Sequence, residues 1–233
     1  MSGEQHRRRL RALVKRAGVR APGDDLALLE QAFVHESHAK EHGSPSNERM
    51  EFLGDSILGM ITARWLFEHF PDEPEGRLTL RKAAIVNDAQ LAESARYLGF
   101  ADLVQLGAGM RAAGGADNTS ILADAFEAFV AALELRYGYE KAQRFVVEEH
   151  IKRLDHAPDA LLDAKTRLQH YTQEHLSATP AYREHSEGTP QAPKFRSEAI
   201  VNGETLGTGR GASKKAAQQA AAEAALRTLL GNQ

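Results

Sequence analysis

The 233-residue sequence predicts a multidomain chain, an all-α domain over residues 1–156 followed by an α+β domain, α-β-β-β-α, over residues 157–233. Three observations predict it. Apolar residues recur at helical spacing through most of residues 1–156, and no alternating pattern there lasts more than a few residues. The pattern breaks at His156-Ala157-Pro158-Asp159, which marks a short linker near 155–160. Beyond it three strand-like runs lie between two helical ones, and Asn202-Gly203 joins the last two runs with a strong hairpin signal.

In the first domain, glycine and proline punctuate the helices at Pro22-Gly23, Gly43 to Pro45, Pro71 to Gly76 and Gly107 to Gly115. The stretch from Gly107 to Asn118 is Gly/Ala-rich and aperiodic, and reads as a mobile loop. It lacks the Gly-Lys-Ser/Thr ending of a phosphate-binding loop, so no nucleotide cofactor is expected. In the second domain, Leu168, Tyr171 and Leu176 set an amphipathic helix from Ala164 to Leu176. Strands follow near Ala181 to His185, Phe195 to Val201 and Glu204 to Thr208, and Ser213 caps an alanine-rich helix to Leu230. Both helices are expected on one face of the sheet.

Composition narrows the chemistry. There is no cysteine, so thiolate metal sites, thiol nucleophiles and disulfides are excluded, and any metal must be held by oxygen or imidazole. No apolar run approaches membrane-spanning length, and the basic N-terminus has no apolar core behind it, so a soluble cytoplasmic protein is expected, with no membrane partner. Net charge is −3; residues 1–156 carry 20 Lys and Arg against 24 Asp and Glu, residues 157–233 carry 9 against 8. A polyanionic partner would therefore be met by local basic clusters or bridging cations.

The run from Asn47 to Leu58 is the most informative. Met50, Leu53, Ile57, Met60 and Ile61 form an apolar stripe, while Glu48, Glu51 and Asp55 fall within an arc of about 60° on another face. A solvated acidic face is the ordinary reading of such a helix. Two details weigh against it: Phe52 lies on the acidic side, and Gly54 and Gly59 each cost up to about 1 kcal/mol against alanine in a helix interior. A large aromatic beside clustered carboxylates suggests an interface or a site.

A second acidic pair lies in Ile121 to Leu135, a helix apolar nearly all round. Asp124 and Glu127 are i, i+3 neighbours, flanked by Ala128, Ala131 and Leu135. Buried carboxylates need a cation, a basic partner or a raised pKa. The alternative is an exposed helix start behind a Ser120 cap, where acids suit the dipole.

Lys214 and Lys215 open the last helix, against its dipole, and Arg210 stands just before it. An anion there reverses the sign, so phosphate is the better reading than two solvated lysines. Two near misses fall away. Gly54-Asp55-Ser56-Ile57 resembles an esterase motif, but its serine lies inside a helix rather than on a strand-to-helix turn. His35-Glu36-Ser37-His38, with His42 beyond it, does not make His-Glu-x-x-His, because His38 comes one residue early after His35-Glu36.

With these residues laid out, the chain resembles bacterial ribonuclease III over nearly its full length. Asn47 to Leu58 and Ser120 to Ala128 are close to that family's two diagnostic stretches. Lys165 to Leu168, Gly207-Thr208-Gly209 and Ser213 to Ala217 resemble a double-stranded-RNA-binding domain. The resemblance implies an all-α endonuclease domain and an α+β double-stranded-RNA-binding domain, working as a homodimer on double-stranded RNA with Mg2+, or Mn2+ in its place. It implies metal ligation by Glu51, Asp124 and Glu127, hydrolysis tied most directly to Asp55 and Glu127, and accessory roles for Glu48 and Glu75. Phe52 is expected to contact the partner across the two-fold.

For RNA, the resemblance implies minor-groove contacts from Thr166, Gln169 and Glu174, a second set from the loop Gly188 to Lys194 including Gln191, and phosphate contacts from Lys214 and Lys215. Two departures are noted: Gln191 stands where the family commonly has histidine, and Val34-His35-Glu36-Ser37 differs from the usual threonine-histidine-basic pattern. The expected reaction leaves 5′-phosphate and 3′-hydroxyl ends with a short 3′ overhang, in processing ribosomal RNA precursors and other structured RNAs. A non-catalytic RNA-binding regulator or chaperone is the alternative.

Overall fold

The computed structural model describes residues 3–20, 25–154, 163–189 and 192–231. By its internal contacts the chain divides into two compact units, Met1–Pro158 and Asp159–Gln233. The expected breaks at Pro22-Gly23 and at the 155–160 linker, and the expected contact of Gln191, lie outside the described residues.

The first unit is built of helices: α1 (Gly3–Arg16), α2 (Ala27–Gln31), α3 (Glu36–His42), α4 (Glu48–His69), α5 (Glu75–Ile85), α6 (Asp88–Tyr97), α7 (Ala108–Ala112), α8 (Thr119–Tyr137) and α9 (Tyr139–Glu149). Its described residues form no strand, only a parallel bridge between Val34 and Gln105. The centre is α8, buried almost continuously from Ile121 to Leu133. Phe126 and Phe129 join Phe33, Phe100 and Phe145 in an aromatic core with edge-on contacts, such as Phe33 to Phe100 at 4.8 Å between ring centres. Such geometry sets each ring's positive edge against its neighbour's negative face. His150 is buried against this core. Its Nε2 lies 3.1 Å from the Ile85 carbonyl and its Nδ1 2.8 Å from Ser94 Oγ, and burial lowers its pKa to about 4.

Three sequence expectations change here. The Asn118 side chain, not Ser120, caps α8, accepting from the backbone N–H groups of Ser120 and Ile121; the helix begins at Thr119, which puts Ser120 inside its first turn. The supposed loop from Gly107 to Asn118 instead contains α7 and a 3-10 turn at Gly115–Asp117. Polar contacts from distant residues hold it: Glu41 accepts from the Ala108 N–H at 3.0 Å, and Arg96 Nε donates to Asp117 Oδ1 at 2.6 Å. Nothing in local periodicity encodes those partners. Met60, assigned to the apolar stripe, is exposed, while Gly54 and Leu58 are buried. The reason is that α4 packs on α8 as well as α5, so its buried arc turns toward Gly54 and Leu58.

The second unit reads α10 (Ala164–Leu176), β1 (Ala181–Thr189), β2 (Ala192–Val201), β3 (Glu204–Gly211) and α11 (Lys214–Gly231), with an antiparallel sheet in the order β1-β2-β3. Asn202 and Gly203 both have positive φ, 50° and 86°, as the tight hairpin requires. Ser213 Oγ accepts from the Ala216 N–H at 3.1 Å and caps α11. A Cβ at Gly207 would stand 2.3 Å from the Ala221 carbonyl oxygen, and one at Gly209 2.1 Å from the Ala221 nitrogen. These bare positions on β3 let α11 lie directly on the sheet through its alanines. Leu168 of α10 and Ala199 of β2 complete the same core, so both helices cover one face. β1 runs past the expected His185, because the backbone from Ser186 to Thr189 continues the antiparallel pairing with Phe195 to Ala192 of β2.

Candidate functional site

Gly54 fixes the site's architecture. It is buried where α4 crosses α8, and a Cβ there would stand 1.9 Å from the Glu127 carbonyl oxygen. No other residue fits without moving a helix. The crossing sets Glu51 and Asp55, which flank Gly54 on α4, against Asp124 and Glu127 of α8. The helix-propensity cost of this glycine is about 1 kcal/mol, and the close packing of α4 on α8 offsets it.

The resulting field is strongly negative. Burial raises the pKa of Glu127 to about 8, with added repulsion from Asp55, Asp124, Glu51 and Asp88. Burial also raises Asp124, helped by Asp88, and raises Glu51, helped by Asp124 and Glu48 and opposed by His35. Asp55 is exposed at the rim. Among the described residues no lysine or arginine pairs with Glu51, Asp55, Asp124 or Glu127.

Asp88 is the acid that sequence reasoning missed. It opens α6 just after the Asn87 cap, which is an ordinary place for an acid, so only the tertiary fold reveals its approach to Asp124 and Glu127. The other expected acids behave differently. Glu48 is exposed, accepts from Ser46 Oγ at 2.7 Å, and adds its charge to Glu51. Glu75 is exposed at the start of α5 and accepts from Thr79 Oγ1 at 2.8 Å; its charge is not among those acting on Glu51, Asp124 or Glu127.

Do these residues fit a metal? Among the described residues no three His, Asp or Glu side chains close on a point as a ready-made cage. The donor chemistry is nevertheless that of a hard cation: carboxylate oxygens, no thiolate, and charge left uncompensated. Mg2+ needs no all-protein cage, since it keeps several waters and takes one or two carboxylates plus substrate oxygens. A dication would also offset the repulsion that adds to burial in raising Glu127. The residues fit.

Phe52 is 80% exposed beside the acids. Met60 and Phe67, 52% and 72% exposed, continue along the same side of α4, giving an apolar edge left open by the described residues of the first unit.

In the second unit Thr166, Gln169 and Lys215 line one cleft of about 330 Å³, together with Asp163, Lys165 and Tyr182. Asp163 caps α10 by accepting from the Thr166 N–H at 3.0 Å, which fixes that end of the cleft. Lys214 is not part of it: its Nζ lies 2.9 Å from Glu184 Oε2 on β1. Lys194 is exposed at the start of β2 and Glu174 is exposed on α10, both outside the cleft. Lys165 lies 4.7 Å from the Tyr182 ring centre and donates to Gln218.

Comparison with known proteins agrees with both units. The Ribonuclease-III-like family matches residues 25–154, and the double-stranded RNA binding motif matches residues 164–229. Ribonuclease 3 of Symbiobacterium thermophilum is 45% identical over 206 residues, covering 87% of each chain. Ribonuclease 3 of Geobacillus thermodenitrificans is 39% identical over 231 residues, covering 97% of this chain and 93% of its own. A crystal structure of the nuclease domain of ribonuclease III from Campylobacter jejuni superposes with a TM-score of 0.58 at 30% identity, over 67% of this chain and 99% of that one. A second structure of that domain, concerned with flexibility in a region involved in its dimer formation, gives 0.54 at 34% identity, over 59% and 92%.

Proposed function

Because this chain belongs to the ribonuclease III family and is an endoribonuclease with a double-stranded-RNA-binding domain, we propose that it cuts double-stranded RNA by Mg2+-dependent hydrolysis at the α4–α8 crossing. The single observation that carries the reading is the contact of Gly54 with the Glu127 backbone, which opposes two pairs of carboxylates with no basic partner.

Glu51, Asp124 and Glu127 would hold the cation, with Mn2+ able to replace Mg2+. When bound, it supplies positive charge against the phosphate and acidifies water. Asp55, exposed at the rim, and Glu127 orient the attacking water and take up its proton. Attack at phosphorus breaks the bond to the 3′ oxygen, leaving a 5′-phosphate and a 3′-hydroxyl. Glu48 and Asp88 add negative potential at the edge of the site. Glu75, at the exposed start of α5, would act as an accessory acid at the periphery.

The exposed edge of Phe52, Met60 and Phe67 supports a C2 homodimer, in which Phe52 meets the partner. Two related sites then face the two antiparallel strands of one duplex and give staggered cuts with a short 3′ overhang. Thr166 and Gln169 read a minor groove by its 2′-hydroxyls, with Lys215 at the phosphates beside their cleft. Gln191 and Lys194 would reach a second groove. Recognition of A-form shape with little sequence dependence suits processing of ribosomal RNA precursors and other structured RNAs in the cytoplasm.

The test is to incubate the protein with a long RNA duplex and with its separated strands, with and without Mg2+, and to identify the product ends. Mg2+-dependent shortening of the duplex alone, to 5′-phosphorylated pieces, is expected. Cutting in a metal chelator, or 3′-phosphate ends, would overturn the proposal.

A further inference from the structure

A second glycine in α4 has a cation for a neighbour. Lys82 Nζ lies 3.2 Å, and its Cε 3.4 Å, from where a Cβ at Gly59 would stand. Lysine stems commonly lie on apolar surface with the charge in water. This one lies in the notch that a missing side chain leaves in a helix interior, at a cost of up to about 1 kcal/mol in helix propensity.

The adjacent cation behaves quite differently. Arg81 is 3% exposed, donates twice to Glu73 at 2.5 and 2.7 Å, and covers the Phe70 ring at 4.3 Å. It ties α5 to the turn before it. Lys82 is half-buried and has no carboxylate or carbonyl partner among the described residues.

Its place along α4 gives that difference a use. Gly59 follows Asp55 by four residues, about 6 Å of rise and 40° of rotation. The Lys82 ammonium therefore stands about one turn beyond Asp55 along α4, paired with no acid among the described residues. Such a group lacks an oxyanion, and a phosphate supplies one in the form that RNA repeats along each strand.

Resting on the carboxylate assignment proposed above, we infer that Lys82 binds a phosphate of the RNA strand next to the phosphodiester held at the carboxylates. The contact fixes the register of the strand on the nuclease domain. Gly59 is glycine to leave room for the lysine that makes it.

The experiment compares wild type, Lys82→Met, which keeps an unbranched stem, and Lys82→Arg. Duplex binding is measured against salt in a Glu127→Gln background, where cutting does not interfere. Lys82→Met is expected to reduce the slope of log K against log salt by about one. In the active protein it should raise KM several-fold, with a smaller effect on kcat and unchanged thermal stability. Lys82→Arg should restore most of the slope. An unchanged slope and KM in Lys82→Met, or a loss of thermal stability alone, overturns the inference. If wild type cuts the duplex and Lys82→Met matches it, only the lysine's role fails; if wild type does not cut, the carboxylate assignment fails and the role of Lys82 fails with it.

Discussion

Gly54 of α4 rests on the backbone of Glu127 in α8, with no room for a methyl group between them: a Cβ at 54 would meet the Glu127 carbonyl oxygen at 1.9 Å. That contact sets the distance between the two acidic pairs. Everything chemical in the nuclease unit depends on it.

Gly54→Ala is therefore expected to push α4 from α8. Overpacking of this kind costs roughly 1–3 kcal/mol, against up to about 1 kcal/mol gained in helix propensity. Cleavage at a temperature where the variant is still folded should fall more than stability does. Thermal unfolding and duplex cleavage, measured together, check this; an active, fully stable alanine variant would show that the spacing does not matter.

The raised Glu127 gives a pH dependence with a definite sign. Its folded pKa, about 8, lies above the ordinary 4.5, so the folded chain holds a proton that the unfolded chain releases. Its contribution to stability is complete below about 4.5 and is lost as pH rises through about 8. Asp124 and Glu51, also raised, act in the same direction. Without metal, the difference in melting temperature between wild type and Glu127→Gln should shift against wild type from pH 5 to about pH 8. Mg2+ should stabilise wild type more at the upper end, because binding competes with the proton. A pH-independent difference would contradict the buried-carboxylate reading.

The two lysines that open α11 should not be equivalent. Lys215 lines the cleft with Thr166 and Gln169, whereas Lys214 is paired with Glu184. Lys215→Ala should lower the salt slope of duplex binding by about one, and Lys214→Ala by less. Glu184→Gln, which frees Lys214, should tighten binding at low salt. Equal effects of the two alanine variants would mean that the ion pair opens on RNA.

Phe52→Ala should weaken self-association in sedimentation equilibrium without lowering monomer stability, because the ring is 80% exposed in the single chain. A variant as dimeric as wild type would remove Phe52 from the interface.

Much of this was legible in the sequence because it is local. Helical spacing located α4 and α8, the apolar run around Asp124 announced a buried helix, and Gly54 stood out as a helix-interior glycine beside acids. The hairpin at Asn202-Gly203 follows from two positive φ angles that those residues tolerate. What was not legible depends on distant partners. Asp88 looks like any helix-opening acid until α6 meets α8. Lys214 looks free until β1 brings Glu184 to it. The 107–118 segment gained its turns from Glu41 and Arg96, both remote in sequence.

The most direct test of the central claim is Glu127→Gln, assayed for duplex cleavage in Mg2+ and for duplex binding. Loss of cutting with undiminished binding is the result expected if the α4–α8 carboxylates do the chemistry and the second domain holds the RNA. Cleavage at the wild-type rate would contradict the account, since the carboxylate at its centre would then be dispensable.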